Sequence, residues 1–125
     1  MQRPITITAG VALAMLSMAW SAHAAGDATR GQELYESRCI ACHSVEDNRV
    51  GPAHKGVFGR KAGSVSGYDY SAAVKASRVV WREVTLDRWL TNPESVIAGQ
   101  KMGYSVAEAP DRVDLIAYLK KVSPR

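Results

Sequence analysis

The sequence predicts a small all-α domain with long loops, and three observations carry that reading. Apolar residues recur at helical spacing in separate segments, no run alternates apolar and polar residues as a half-buried strand does, and Ser44 to Gly67 holds no period at all. A structureless stretch of that length is unusual in a small domain unless it wraps something. The chain has 125 residues, room for one domain and a targeting segment but not for two domains.

The targeting segment comes first. Arg3 supplies a positive start, Ile5 to Trp20 is an uncharged and largely apolar run, and Ala22-His23-Ala24 gives the small-x-small pattern of a cleavage site. Residues 1–24 are therefore expected to be a signal peptide and residues 25–125 the mature domain. A retained anchor helix is the rival, but Thr6, Thr8, Gly10 and Ser17 dilute the apolar run. Export to the periplasm, with no stable membrane insertion after cleavage, is the expectation.

In the mature domain, Asp27 is placed to cap a first helix whose apolar face begins with Leu34 and Tyr35 and which runs up to Cys39. The looped segment from Ser44 contains Gly51, Pro52, Gly56, Gly59, Gly63 and Gly67. A short helical piece is expected around Ser71 to Ala76. Thr85 is read as the cap of the next helix, with Leu86, Trp89 and Leu90 on its buried side. Asn92-Pro93-Glu94 starts another short turn, and Gly99 to Ser105 is again loop. Pro110 and Asp111 open the last helix, where Leu115, Tyr118, Leu119 and Val122 recur at helical spacing. Lys120 and Lys121 suit its C-terminal dipole and Pro124 ends it.

Sixteen basic and twelve acidic residues, a formal charge of +4, are too nearly balanced and too scattered to argue for nucleic-acid binding. A domain this small often needs a disulfide, metal or cofactor to complete its core. Only two cysteines are available for that, and they lie in Cys39-Ile40-Ala41-Cys42-His43. This is the C-x-x-C-H of covalent haem attachment. Two thiols one helical turn apart can add to the two vinyl groups on one edge of a porphyrin, and the next residue is carried under the iron as proximal ligand. One covalently bound haem c, held through Cys39 and Cys42 with His43 on the metal, is the expected cofactor.

Three other readings of these residues compete. A thioredoxin-like redox pair sits at a strand-to-helix junction, which does not precede Cys39. A structural zinc would need all of Cys39, Cys42, His43 and His54. A disulfide across two residues closes too short a loop to stabilise much. For the sixth position on iron, Met1, Met15 and Met18 fall in the signal peptide and leave Met102, in the glycine-flanked loop from Gly99 to Tyr104. A methionine in such a loop is poorly placed as core filler, the ordinary role of that residue. His54 and Lys101 are the competitors, the first lying a short loop after His43 and the second being charged unless buried.

With these residues the chain resembles a class I c-type cytochrome, in the branch of mitochondrial cytochrome c and bacterial cytochromes c2. The resemblance runs through Gly31, Tyr35, Cys39 to His43, Gly51-Pro52, Gly56 to Lys61, Gly67 to Tyr70, Trp81, Asn92-Pro93, Lys101-Met102 and Asp114 to Lys121. It implies a fold in which the N- and C-terminal helices cross and loops wrap one haem, and a single-electron carrier rather than an enzyme. It also implies roles: Gly31 at the helix crossing, the Pro52 carbonyl on the second nitrogen of His43, and Arg60, Tyr70 and Trp81 around a haem propionate. Lys55, Lys61, Lys75 and Lys101 would bias the encounter with redox partners, which would be a dehydrogenase, a cytochrome complex or a terminal oxidase. The carrier itself is expected to be a monomer.

The chain departs from the mitochondrial pattern beside the iron. Trp89 stands where a tyrosine is normal, Val74 where an asparagine is, Ala98 where a proline is and Gln100 where a threonine is common. Glu94 and Ser95 replace two docking lysines. Two other functions fit the motif: a haem enzyme or gas sensor with an open iron site, and a dedicated subunit of one dehydrogenase.

Overall fold

The computed structural model describes residues 25–125; the segment read as a signal peptide lies outside the described residues. The described chain forms α1 (Ala28–Arg38), α2 (Ala72–Ala76), α3 (Glu83–Thr91), α4 (Pro93–Val96) and α5 (Ala109–Lys121). Extended structure is confined there to one isolated antiparallel bridge between Lys61 and Val80.

α1 begins where Asp27 was expected to cap it: its Oδ1 accepts hydrogen bonds from the backbone N–H of Thr29 (2.8 Å) and Arg30 (3.1 Å). The helix packs across α5. Gly31 lies at the contact, where an added Cβ would run into the carbonyl of Asp114, so no larger residue allows this approach. Beside it Tyr35 packs against Tyr118, ring centroids 5.2 Å apart, and joins Leu115, Ile116 and Leu119 in the core. Charge closes the edge of the contact. Arg30 forks onto Asp111 and Asp114, both at 2.5 Å, and Arg38 reaches Asp111 at 3.0 Å.

The long segment from Ser44 to Gly67 has no helix, but many of its backbone groups are paired. Its first turn is held by His54 N–H to the Ser44 carbonyl (3.0 Å) and Lys55 N–H to the Val45 carbonyl (2.8 Å). Further on, Gly59 donates to the Trp81 carbonyl, Trp81 donates to the Arg60 carbonyl and Ala62 donates to the Val79 carbonyl. The loop is thereby zipped to residues 79–81, which the absence of any strand pattern did not foretell.

α3 starts two residues before Thr85, which is therefore not its N-cap. Thr85 is the third residue of the helix; its hydroxyl accepts from the backbone N–H of Arg82 (2.8 Å) and lies 2.7 Å from the Val80 carbonyl. It satisfies an end group from inside the helix, the reverse half of a capping box. Leu86 and Leu90 are buried as expected, whereas Trp89 is only half-buried because it faces a cavity. Arg112 ties α5 to α3 through Asp87 at 2.8 Å. No helix among the described residues is long and apolar enough to cross a membrane.

Candidate haem site

Helices α1, α3 and α5 and the intervening loops enclose a cavity of about 510 Å³, within the roughly 300–1,000 Å³ usual for ligand and cofactor pockets. Cys39, Cys42, His43, Pro52, Arg60, Tyr70, Trp81 and Met102 all line it, so residues up to 63 positions apart in sequence, from Cys39 to Met102, meet at one place.

Cys39 is the C-terminal cap of α1 and Cys42 follows in the next turn, its N–H donating to the Cys39 carbonyl at 3.1 Å. Burial pushes the Cys39 thiol up to about 11. A redox thiol pair needs the opposite shift, obtained at a helix N-terminus or beside a cation, so the thioredoxin-like reading fails. The two are not joined to each other by a disulfide. No three His, Cys, Asp or Glu side chains among the described residues converge as a metal cluster. The zinc reading fails on geometry as well, because the His54 ring stacks flat on His43 instead of converging with it on a common point. Their centroids are 4.0 Å apart and their planes 21° from parallel.

His43 Nδ1 donates to the Pro52 carbonyl at 2.9 Å, which places the proton on Nδ1 and leaves the Nε2 lone pair free. Burial holds the His43 imidazole below its usual range despite that bond, so it is neutral and its Nε2 lone pair available. Gly51 makes room: a Cβ there would collide with Cε1 of the His43 ring. Behind His43, His54 shares a 3.0 Å hydrogen bond through Nδ1 with the Tyr35 hydroxyl, and burial lowers its imidazole well below the usual range. The stacked histidine had no local signal in the sequence beyond its distance from His43.

Arg60 is half-buried. Its Nη1 donates to the Lys55 carbonyl (2.8 Å) and its Nη2 to the Ala53 carbonyl (2.9 Å), and no carboxylate pairs with it among the described residues. Tyr70 accepts from the Val65 N–H at 3.1 Å, which leaves its own proton free to donate. Trp81 is buried and lies 5.0 Å from Trp89 between ring centroids. A half-buried cation without a counter-charge, next to a phenol and an indole, fits an anionic group entering the cavity.

Met102 lies in the loop between α4 and α5, partly buried against the core. Its Sδ accepts a hydrogen bond from Trp89 Nε1 at 3.2 Å. The sequence marks Trp89 as a substitution near the methionine, but it does not reveal that the indole restores a donor to sulfur. Lys101 is exposed, and the Tyr68 hydroxyl closes the rim by donating to the Val50 carbonyl at 2.6 Å.

An all-α domain whose loops enclose such a cavity, with C-x-x-C-H on its wall, defines a c-type haem protein. Residues 28–123 match the cytochrome c family. Cytochrome c of Gibberella zeae is 46% identical over 101 residues, which is 78% of this chain and 95% of the fungal protein. Cytochrome c 2.1 of Caenorhabditis elegans is 43% identical over 104 residues, 81% of this chain and 94% of its own length. The solved structure of cytochrome cH from Methylobacterium extorquens superposes with a TM-score of 0.71 at 43% identity, covering 77% of this chain and 99% of that one. The chain belongs to the cytochrome c family, whose members carry electrons on covalently attached haem c and are not enzymes.

Proposed function

We propose that this chain is an exported, periplasmic single-electron carrier whose haem iron is held between His43 and Met102. The observation that carries the ligand assignment is the pairing of two prepared donor atoms on one cavity. His43 is fixed in the right tautomer by Pro52, and the Met102 sulfur is oriented by the Trp89 N–H.

The competitors fare worse. The His54 ring is stacked on His43, so it would lie on the same side of a bound haem as His43, and its Nδ1 is occupied by Tyr35. Lys101 is exposed, whereas Met102 is partly buried against the core. When bound, haem c supplies the one-electron iron couple, and a His/Met pair raises its potential and leaves no open position. Arg60, Tyr70 and Trp81 offer positive charge and donors to a propionate, and the apolar wall of Leu86, Leu90, Leu115 and Leu119 keeps water away. Cys42 is exposed, which puts the attachment edge at the surface where electrons cross to redox proteins. Those partners would include a dehydrogenase, a cytochrome complex or a terminal oxidase, met in brief small-area complexes by a monomer.

Export rests on Arg3, the apolar run and Ala22-His23-Ala24. Mass spectrometry of protein from a periplasmic extract checks it: the mature chain should begin at Ala25, and a retained Met1 would refute the reading. Spectra of that protein check the rest. The oxidised form should show the weak iron–sulfur band, lost in Met102→Ala, and carbon monoxide should leave the reduced spectrum unchanged. Ready binding of carbon monoxide would instead favour a ligand-binding or catalytic haem protein.

A further inference from the structure

The loop that carries Met102 runs from Ile97 at the end of α4 to Val106 before α5, with no secondary structure of its own. Gly99 (φ +88°) and Gly103 (φ +58°) give it left-handed turns on either side of the methionine. Such a segment is the kind that opens locally at low cost unless something ties it down. Here a continuous chain of hydrogen bonds does so. Glu94 on α4 accepts from the Gly99 N–H at Oε1 (2.9 Å) and from Gln100 Nε2 at Oε2 (3.1 Å). Gln100 in turn accepts at Oε1 from the Gly103 N–H (3.1 Å), reaching past Met102.

Both oxygens of Glu94 are thus spent inside the loop, so the residue acts there as a brace although it is exposed. Two features distinguish it from an ordinary surface contact, which contributes little. Its acceptor is charged, which strengthens each bond. Its bonds are also linked in series across Met102, so the loop must break them to swing Met102 away.

We propose that Glu94 and Gln100 are positioning residues that slow departure of Met102 from the metal, and so protect the carrier from capture by other ligands. The proposal rests on Met102 being the sixth ligand. It gives the acid that replaced a docking lysine a task on its own molecule.

The test is imidazole binding to the oxidised, haem-loaded protein, at imidazole concentrations where loop opening limits the rate. Glu94→Ala and Gln100→Ala should each speed binding roughly two- to tenfold, the effect of losing one or two such bonds. The double variant should fall short of the product of the two, because they share the Glu94–Gln100 bond. Glu94→Gln, which keeps an acceptor for Gly99, should stay nearer the parent than Glu94→Ala. Parent rates in both alanine variants, with the sulfur band still abolished by Met102→Ala, would refute the brace alone. A sulfur band untouched by Met102→Ala would overturn the ligand reading, and the brace with it. A merely structural role would lower the thermal unfolding midpoint while leaving the opening-limited rate at the parent value, and that result also refutes the proposal.

Discussion

The hydrogen bond from Trp89 Nε1 to the Met102 sulfur, 3.2 Å long, should set part of the reduction potential. With Met102 as the proposed sixth ligand, a donor on the sulfur would draw electron density from it and weaken its donation to the metal. The oxidised iron depends on that donation more than the reduced iron, so the bond favours reduction. Trp89→Phe removes the N–H and keeps an aromatic ring near Trp81, whose centroid lies 5.0 Å from that of Trp89. A net hydrogen bond contributes about 0.5–1.5 kcal/mol. For one electron about 1.4 kcal/mol corresponds to ~59 mV, so the potential should fall by up to about 60 mV if the whole bond is felt by only one oxidation state. A fall of 20–30 mV (about half of that) is expected if the bond is felt partly in both. Potentiometric titration followed in the c-type absorption bands measures it. Trp89→Tyr, which keeps a donor, should lie between Phe and the parent. An unchanged or raised potential in Trp89→Phe, in a protein that still shows the iron–sulfur band, would refute the reasoning.

Further outcomes follow from the cavity wall and the helix contact. Arg60→Ala removes the half-buried cation proposed to face a haem propionate, so the oxidised state gains and the potential should fall; Arg60→Lys should recover part of the loss in the same titration. Gly31→Ala drives a methyl group into the Asp114 carbonyl and should cost about 1–3 kcal/mol in denaturant unfolding, the range for overpacking. The Asp114 carboxyl is held below its ordinary value of 3.8, chiefly by the Arg30 hydrogen bond and then by the Asp27 N–H. Its folded pKa is depressed, so the stability it contributes is present above its unfolded pKa and is lost as pH falls through the folded one. Asp114→Asn should therefore lower the thermal midpoint at pH 7 and narrow its gap to the parent below about pH 4. A gap that stays constant with pH would count against the ion pair as its source.

How much of this was legible in the sequence depends on how far apart the partners lie. Cys39, Cys42 and His43 are adjacent, so the attachment motif reads directly from spacing, whereas the role of Pro52 came only from the family resemblance. The ends of α1 and α5 were equally plain, because Asp27 and Pro110 are local signals. Thr85 was misread because a threonine near a helix start bonds the same backbone groups from the cap or from the third position, and only the backbone decides which. Asp111 shows the same limit: it reads as a residue opening the last helix, yet in the fold it is buried beneath Arg30 and Arg38. The bridge between Lys61 and Val80 has no signature at all, since one paired residue makes no alternating pattern.

The distal half is less legible for a physical reason, and that reason bears on how the site works. Met102 is joined to Trp89, and Glu94 to Gln100, by side-chain hydrogen bonds that cross from short helices to the loop. None of those bonds leaves a period or a motif. Each involves a residue at which the resemblance marks a departure from the mitochondrial pattern, and each supplies a donor or acceptor in this fold. Substitutions that look like a loss of polarity around the iron are therefore better understood as a rerouting. Sulfur receives its donor from an indole, and the loop receives its tie from a carboxylate and an amide. Perturbing one route should leave the other intact, because no hydrogen bond links Trp89 to the Glu94–Gln100 pair among the described residues. Trp89→Phe should shift the potential more than the ligand-exchange rate, and Gln100→Ala should do the reverse. The two effects should add in the double variant, as expected for sites with no shared partner, and strong coupling in either measurement would show the distal side to be a single network.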